Sequence, residues 1–244
     1  MRTPAEVRLV LALGRAGATP SEITRLTGVA RTTVRNWLAG ATPMRAEDPT
    51  DVLAALPATP YAYLLGLYLG DGTIARFPRA SCLRIYCDAQ YPGIIGECVR
   101  AIRAVRPHNR VSVSRRGTAR CCVVQSYSTW WIELFPQHGS GRKHERPIVL
   151  ADWQRAITHA HPQAFLRGLL HSDGTRFMNS VRHGDRVYVY PRYQFSNRSE
   201  DIKGIFCEHL DLLGIAWRRA NAMNISIARR EAAAALDEFV GPKR

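Results

Sequence analysis

A nine-residue pattern occurs twice in this chain and limits the fold more than any other feature. Leu64 to Gly72 reads Leu-Leu-Gly-Leu-Tyr-Leu-Gly-Asp-Gly, and Leu166 to Gly174 reads Leu-Arg-Gly-Leu-Leu-His-Ser-Asp-Gly. Each run is an apolar helix with a glycine one turn in and a terminal Asp-Gly, where glycine readily ends a helix. Two such helices 102 residues apart imply an internal duplication. If Gly66 and Gly168 pack face to face, the helices approach closely and Asp71 and Asp173 become neighbours. Adjacent carboxylates repel and raise each other's pKa unless a cation sits between them. The arrangement therefore asks for a divalent metal held by Asp71 and Asp173.

The elements that follow each motif repeat as well. After the first, alternation at Leu83, Ile85 and Cys87 predicts strands over 73–78 and 82–88, then an amphipathic helix over 92–105 with Ile94, Ile95, Cys98, Val99 and Ile102 inward. Strands over 110–115 and 119–126, hinged at Gly117, and a helix over 129–135 complete the half. A lead-in helix over 150–160 precedes the second motif. Behind that motif come strands over 176–181 and 186–196, a helix over 199–213, strands over 216–220 and 223–228, and a last helix over 229–239.

The N-terminus is built differently. Residues 4–16 have helical periodicity, and Thr19-Pro20-Ser21-Glu22 is a helix-start signal with a capping pair. The spacing of Ile23, Gly28, Val29, Val34 and Trp37 resembles a helix-turn-helix, two helices held across a glycine turn. Its second helix would offer Arg31, Thr32, Thr33, Arg35 and Asn36 to a major groove. Residues 41–60, rich in Pro, Ala and Thr, read as a linker with a turn of helix near 52–56. The expected domains are thus 1–40, a linker 41–60, a first repeat 61–148 and a second repeat 149–244.

Charge and cysteine usage narrow the partners. Lys and Arg outnumber Asp and Glu 34 to 20, a net charge of +14 that suits a polyanion such as double-stranded DNA. The six cysteines include an adjacent pair and form no Cys-x-x-Cys, so reduced thiols and a cytoplasmic, nucleoid-associated protein are expected. No apolar run reaches membrane-spanning length.

The paired motifs, with this element order, resemble the LAGLIDADG family of homing endonucleases in its single-chain, two-repeat form. The resemblance covers roughly residues 60–240. It implies an α+β fold, a pseudo-twofold duplicated αββαββα saddle over the DNA major groove, here preceded by the small all-α helix-turn-helix domain. It makes Asp71 and Asp173 ligands of divalent metal, usually Mg²⁺, in a site-specific DNA endonuclease. The sixth motif position, often acidic in the family, is Leu69 in one repeat and His171 in the other. Family members within inteins tend to carry a lysine shortly before a proline ahead of the second repeat. Lys143 in Gly-Ser-Gly-Arg-Lys-His-Glu-Arg-Pro is similar, with Arg142 or Arg146 as alternatives; a cation there would stabilise charge on the scissile phosphate, the other reading being a basic loop that touches DNA backbone.

On this reading Gln125 and Gln194 are candidates to orient water. Outward strand arginines, Arg84, Arg115, Arg120, Arg176, Arg192 and Arg218, are candidates for phosphate or guanine contacts. A duplicated body needs no second copy, so a monomer is expected. The alternative is a non-cleaving transcriptional regulator on the same scaffold, similar in kind to sporulation regulators that join a LAGLIDADG-like domain to a helix-turn-helix.

Overall fold

The computed structural model describes residues 4–40, 49–115, 120–241 and 243. They form two compact units, 1–56 and 57–244.

In the first unit, α1 (Pro4–Arg15), α2 (Pro20–Thr27) and α3 (Arg31–Leu38) enclose a small core of Val10, Ile23, Val29, Val34 and Trp37. The helix-start signal is realised as a reciprocal cap: the Glu22 carboxylate accepts from the Thr19 amide at 2.7 Å, and the Thr19 hydroxyl accepts from the Glu22 amide. Gly28, at φ 65°, makes the left-handed turn between α2 and α3. A short α4 (Pro49–Ala54) follows. Of the expected linker, 41–48 lie outside the described residues, and its last positions already belong to the next helix.

The second unit carries the duplication. Its first half runs α5 (Ala58–Asp71), β1 (Gly72–Arg76), β2 (Ser81–Asp88), α6 (Pro92–Val105), β3 (Val111–Arg115), β4 (Cys121–Ser128) and a one-turn α7 (Trp131–Leu134). A 3-10 turn at Lys143–Glu145 and α8 (Asp152–Ala160) lead into the second half. That half runs α9 (Pro162–Asp173), β5 (Gly174–His183), β6 (Arg186–Ser196), α10 (Glu200–Leu212), β7 (Arg218–Arg219), β8 (Asn224–Ile227) and α11 (Arg230–Val240). The two antiparallel sheets share one topology, β1-β2-β4-β3 and β5-β6-β8-β7. The structure is therefore the expected α+β duplicate. Two departures are local: β7 shrinks to two residues, and the β5–β6 hairpin is longer than β1–β2. The hinge expected at Gly117 lies outside the described residues.

The motif helices sit at the centre. Every residue of α5 from Tyr61 to Leu69 is buried, which explains a helix without a polar face. It packs along α9. A methyl built on Gly66 would lie 2.9 Å from the Gly168 Cα, and one built on Gly168 would lie 3.0 Å from the Gly66 Cα. The helices meet backbone to backbone, and only glycine fits.

Candidate active site

Both motif helices end on an aspartate and pass without a loop into a strand: Gly72 and Gly174 adopt the same extended conformation, φ −93° with ψ 150° and 154°. Because α5 and α9 lie side by side, Asp71 and Asp173 emerge next to each other. A methyl built on Gly70 of the first helix would lie 3.1 Å from Asp173 Oδ2 of the second. Each carboxylate thus sits at the negative pole of its helix, partly buried, beside a second carboxylate, and all three factors disfavour ionisation. Burial raises the Asp71 carboxyl above its ordinary value, against the pull of Lys143 and Lys243. Asp173 is pushed up to about 6, by burial first and by Asp71 second, although an amide from Asn197 (Nδ2 to Oδ2, 2.7 Å) favours its charge.

Two lysines close the helix ends. Lys143 Nζ donates to the Tyr68 carbonyl, which also accepts from the Gly72 amide, and, at 3.0 Å each, to the Leu69 and Gly70 carbonyls in the last turn of α5. Burial brings its pKa down to about 8, opposed by Asp173 and Asp71. At the end of α9, Lys243 Nζ donates to the Gly174 carbonyl at 2.5 Å and reaches the Ser172 carbonyl at 3.5 Å. Its pKa is likewise lowered by burial and raised by the same two aspartates. Lys143 was the expected cation. Lys243 is its counterpart in the second repeat, 70 residues after Asp173 where Lys143 is 72 after Asp71.

The carboxylates form the shared wall of two cavities. The larger, about 670 Å³, is rimmed by Arg142, Lys143, Arg146 and Arg198, with His144 among them. The smaller, about 300 Å³, contains Lys243, Tyr91 and Cys87. Two carboxylates with raised pKa and flanking carbonyls form a hard oxygen set, the kind Mg²⁺ takes together with water and phosphate oxygens rather than inside an all-protein cage. No cluster of three or more His, Cys, Asp or Glu able to hold a metal occurs among the described residues.

Sheet register sorts the other expected residues by face. In the first sheet one cross-strand row reads Thr73, Arg84, Gln125, Ser112. In the second sheet the corresponding row reads Thr175, Gln194, Ser226, Arg218. Arg84, Gln125, Gln194 and Arg218 therefore share a face with the residue that follows each motif's Asp-Gly, and Arg192, two along from Gln194, joins them. Arg192 lies over the Tyr190 ring, 5.9 Å from its centroid. Two arginines read as outward are placed otherwise. Arg176 is in register with buried Tyr193 on the opposite face, and its Nε and Nη2 donate to Asp237 of α11 at 2.7 and 2.8 Å. Arg115 pairs across from buried Cys122, also on the opposite face, though exposed at its strand end. Arg120 precedes β4 and is exposed. In the first unit Arg31, Thr32, Arg35 and Asn36 are exposed along α3 and Thr33 is half-buried.

The duplication is not exact at the site. Gly72 pairs with Ile85 and Gly174 with Phe195, so Asn197, two beyond Phe195, corresponds to Cys87. Asp173 has an amide donor where Asp71 has a thiol neighbour.

No protein-family model matches the sequence, and no curated protein does. Solved structures do match in fold. I-DmoI in complex with DNA and Mn aligns over 76% of this chain and 98% of its own, at 12% identity and a TM-score of 0.50. The meganuclease I-AabMI bound to uncleaved DNA aligns over 73% and 82%, at 11% identity and a TM-score of 0.45. The N-terminal LAGLIDADG domain of WhiA aligns over 83% and 94%, at 14% identity and a TM-score of 0.44.

Proposed function

Starting from the LAGLIDADG fold that this chain shares with the homing endonuclease I-DmoI, we propose that it is a sequence-specific DNA-binding protein that hydrolyses phosphodiesters with divalent metal at Asp71 and Asp173. The observation that carries the reading is the juxtaposition of these two carboxylates at paired helix ends, each end closed by its own lysine. A divalent cation held there would polarise a phosphate oxygen and lower the pKa of an attacking water.

The chain's own residues supply the rest. Arg142, Arg146 and Arg198 draw a backbone phosphate into the larger cavity. Lys143 and Lys243 place one ammonium group beside each helix end, where negative charge develops as a phosphodiester is cut. The Asn197 amide holds Asp173 Oδ2 and so aims the carboxylate. Gln125 and Gln194, on the faces that follow the motifs, orient water or bases. Arg84, Arg192 and Arg218 contact phosphates or guanine edges from the same faces. In the first unit, α3 acts as the recognition helix of a helix-turn-helix and adds affinity through Arg31 and Arg35.

Selection of cut sites from a randomised plasmid library with Mg²⁺ tests the proposal. Wild type is expected to nick and then linearise library members, and Asp71→Asn to do neither. Lys143→Met should slow cleavage about 100-fold, the usual cost of losing one charge-stabilising group. Salt-sensitive, sequence-specific binding by wild type without any cleavage would instead support the regulator. Arg31→Ala with Arg35→Ala should weaken binding and flatten its dependence on salt by about two counterions, roughly one per lost phosphate contact. A fluorescence-anisotropy titration across salt concentrations reads both effects.

A further inference from the structure

Lys243 lies three residues beyond the end of α11, yet its charge, like that of Lys143, acts on both Asp71 and Asp173. Its place depends on how the end of α11 is held. The body of α11 is anchored at Asp237, which accepts from Arg176 and, at 2.6 Å, from the Tyr193 hydroxyl, and by fully buried Leu236. In the last turn the Val240 side chain is buried as well. Its carbonyl is gripped by the histidine at the sixth motif position. His171 Nε2 lies 3.0 Å from the Val240 carbonyl, and His171 Nδ1 lies 2.9 Å from the Tyr63 hydroxyl.

The chemistry of this contact is determined by its partners. A carbonyl can only accept, so Nε2 carries the proton and donates to Val240. In a neutral ring Nδ1 then accepts from the Tyr63 hydroxyl. Tyr63 belongs to the first motif helix and His171 to the second, and both are buried, with the rings edge-on at 5.7 Å. The contact thus joins both repeats to the last residue of α11. Gly241 then turns the chain at φ 69°, a conformation other residues rarely adopt, and Lys243 is delivered to the end of α9.

We infer that Tyr63 and His171 are positioning residues: a latch across the repeat interface that holds the end of α11 so that Lys243 stays at the carboxylate pair. The role of Lys243 in cleavage rests on the function proposed above; the latch itself does not.

The chain has three lysines, Lys143, Lys203 and Lys243, so the latch can be read directly by pulse labelling with an amine-reactive reagent and peptide mass spectrometry. His171→Phe keeps the ring packing and removes both hydrogen bonds; it is expected to raise Lys243 labelling at least tenfold while Lys143 and Lys203 stay as in wild type. Tyr63→Phe, which loses only a hydroxyl, should raise Lys243 labelling a few-fold and decides the matter if His171→Phe does not fold. Unchanged Lys243 labelling, or an equal rise at all three lysines, overturns the latch.

Strand-resolved cleavage then tests the positioning role. His171→Phe and Lys243→Met should both accumulate nicked plasmid cut on the same strand, with no further loss in the double variant, while Lys143→Met spares that strand's partner. Equal slowing of both strands by His171→Phe overturns the positioning role. If wild type cuts nothing, it is the endonuclease reading that fails, and the labelling result still decides the latch.

Discussion

Asp173→Asn is expected to abolish cleavage and, in the same protein, to raise the melting temperature of the metal-free form. The two effects have one cause. Asp173 is held at about 6, against an ordinary 3.8, by burial and by Asp71 beside it. A carboxyl whose folded pKa lies above its unfolded value favours folding below the unfolded pKa and loses that contribution as pH rises through the folded one. Above pH 6 the ionised carboxylate therefore costs the metal-free fold on the order of 2 kcal/mol. Asparagine removes the charge, keeps the shape, and retains an oxygen to accept from Asn197. At pH 7.5 in chelator the variant should melt about 4–8 °C above wild type, given the usual conversion for a unit of this size. At pH 4 the difference should vanish, because the folded wild type is then protonated.

Adding Mg²⁺ or Mn²⁺ should raise the wild-type melting temperature much more than that of the variant. Metal uptake by wild type should weaken as pH falls below about 6, where a proton competes for Asp173. Cleavage by the variant should drop about 1000-fold or more, equivalent to about 4 kcal/mol of transition-state stabilisation. A variant that cuts normally and melts with wild type in chelator would show that this carboxylate bears neither strain nor metal.

How much of this was legible before the coordinates depends on how far apart the cooperating residues lie. Gly66, Gly168 and the terminal aspartates were readable because a repeated motif states the same local geometry twice. Period-two alternation was enough to place Arg84, Gln125, Gln194 and Arg218 on one kind of face. It failed for Arg176, whose partner Asp237 is 61 residues away on a helix that only the fold brings near. Arg115 was misplaced by strand parity: it falls in register with buried Cys122 rather than with Gln125. Lys243 escaped because it follows the last periodic element, where no pattern remains. Carrying Lys143 forward by the 102-residue repeat distance would have landed within two residues of it. Asn197 and the Tyr63–His171 contact had no such signal, since each depends on a meeting between segments that share no periodicity.

Gly168→Ala is expected to be the most damaging single methyl in the molecule. A Cβ at this position would meet the Tyr63 carbonyl, and would lie 3.0 Å from both the Gly66 Cα and the Leu67 amide nitrogen. Every one of these atoms is backbone, so no rotamer change relieves the clash and the helices must move apart. Overpacking of this kind costs about 3 kcal/mol or more, a fall of roughly 6–12 °C in melting temperature. Gly204 of α10 is the internal control: nothing lies within 4 Å of a Cβ there, so Gly204→Ala should be neutral or stabilising by up to about 1 kcal/mol through helix propensity alone. The comparison also separates stability from catalysis. Spreading α5 from α9 draws Asp71 away from Asp173, so whatever fraction of Gly168→Ala does fold should lose metal-dependent cleavage, while Gly204→Ala keeps it. Thermal melts and plasmid cleavage on the two variants check both halves. A Gly168→Ala protein that melts with wild type would mean the motif helices do not meet at their glycines, and the shared carboxylate site would lose its geometric basis.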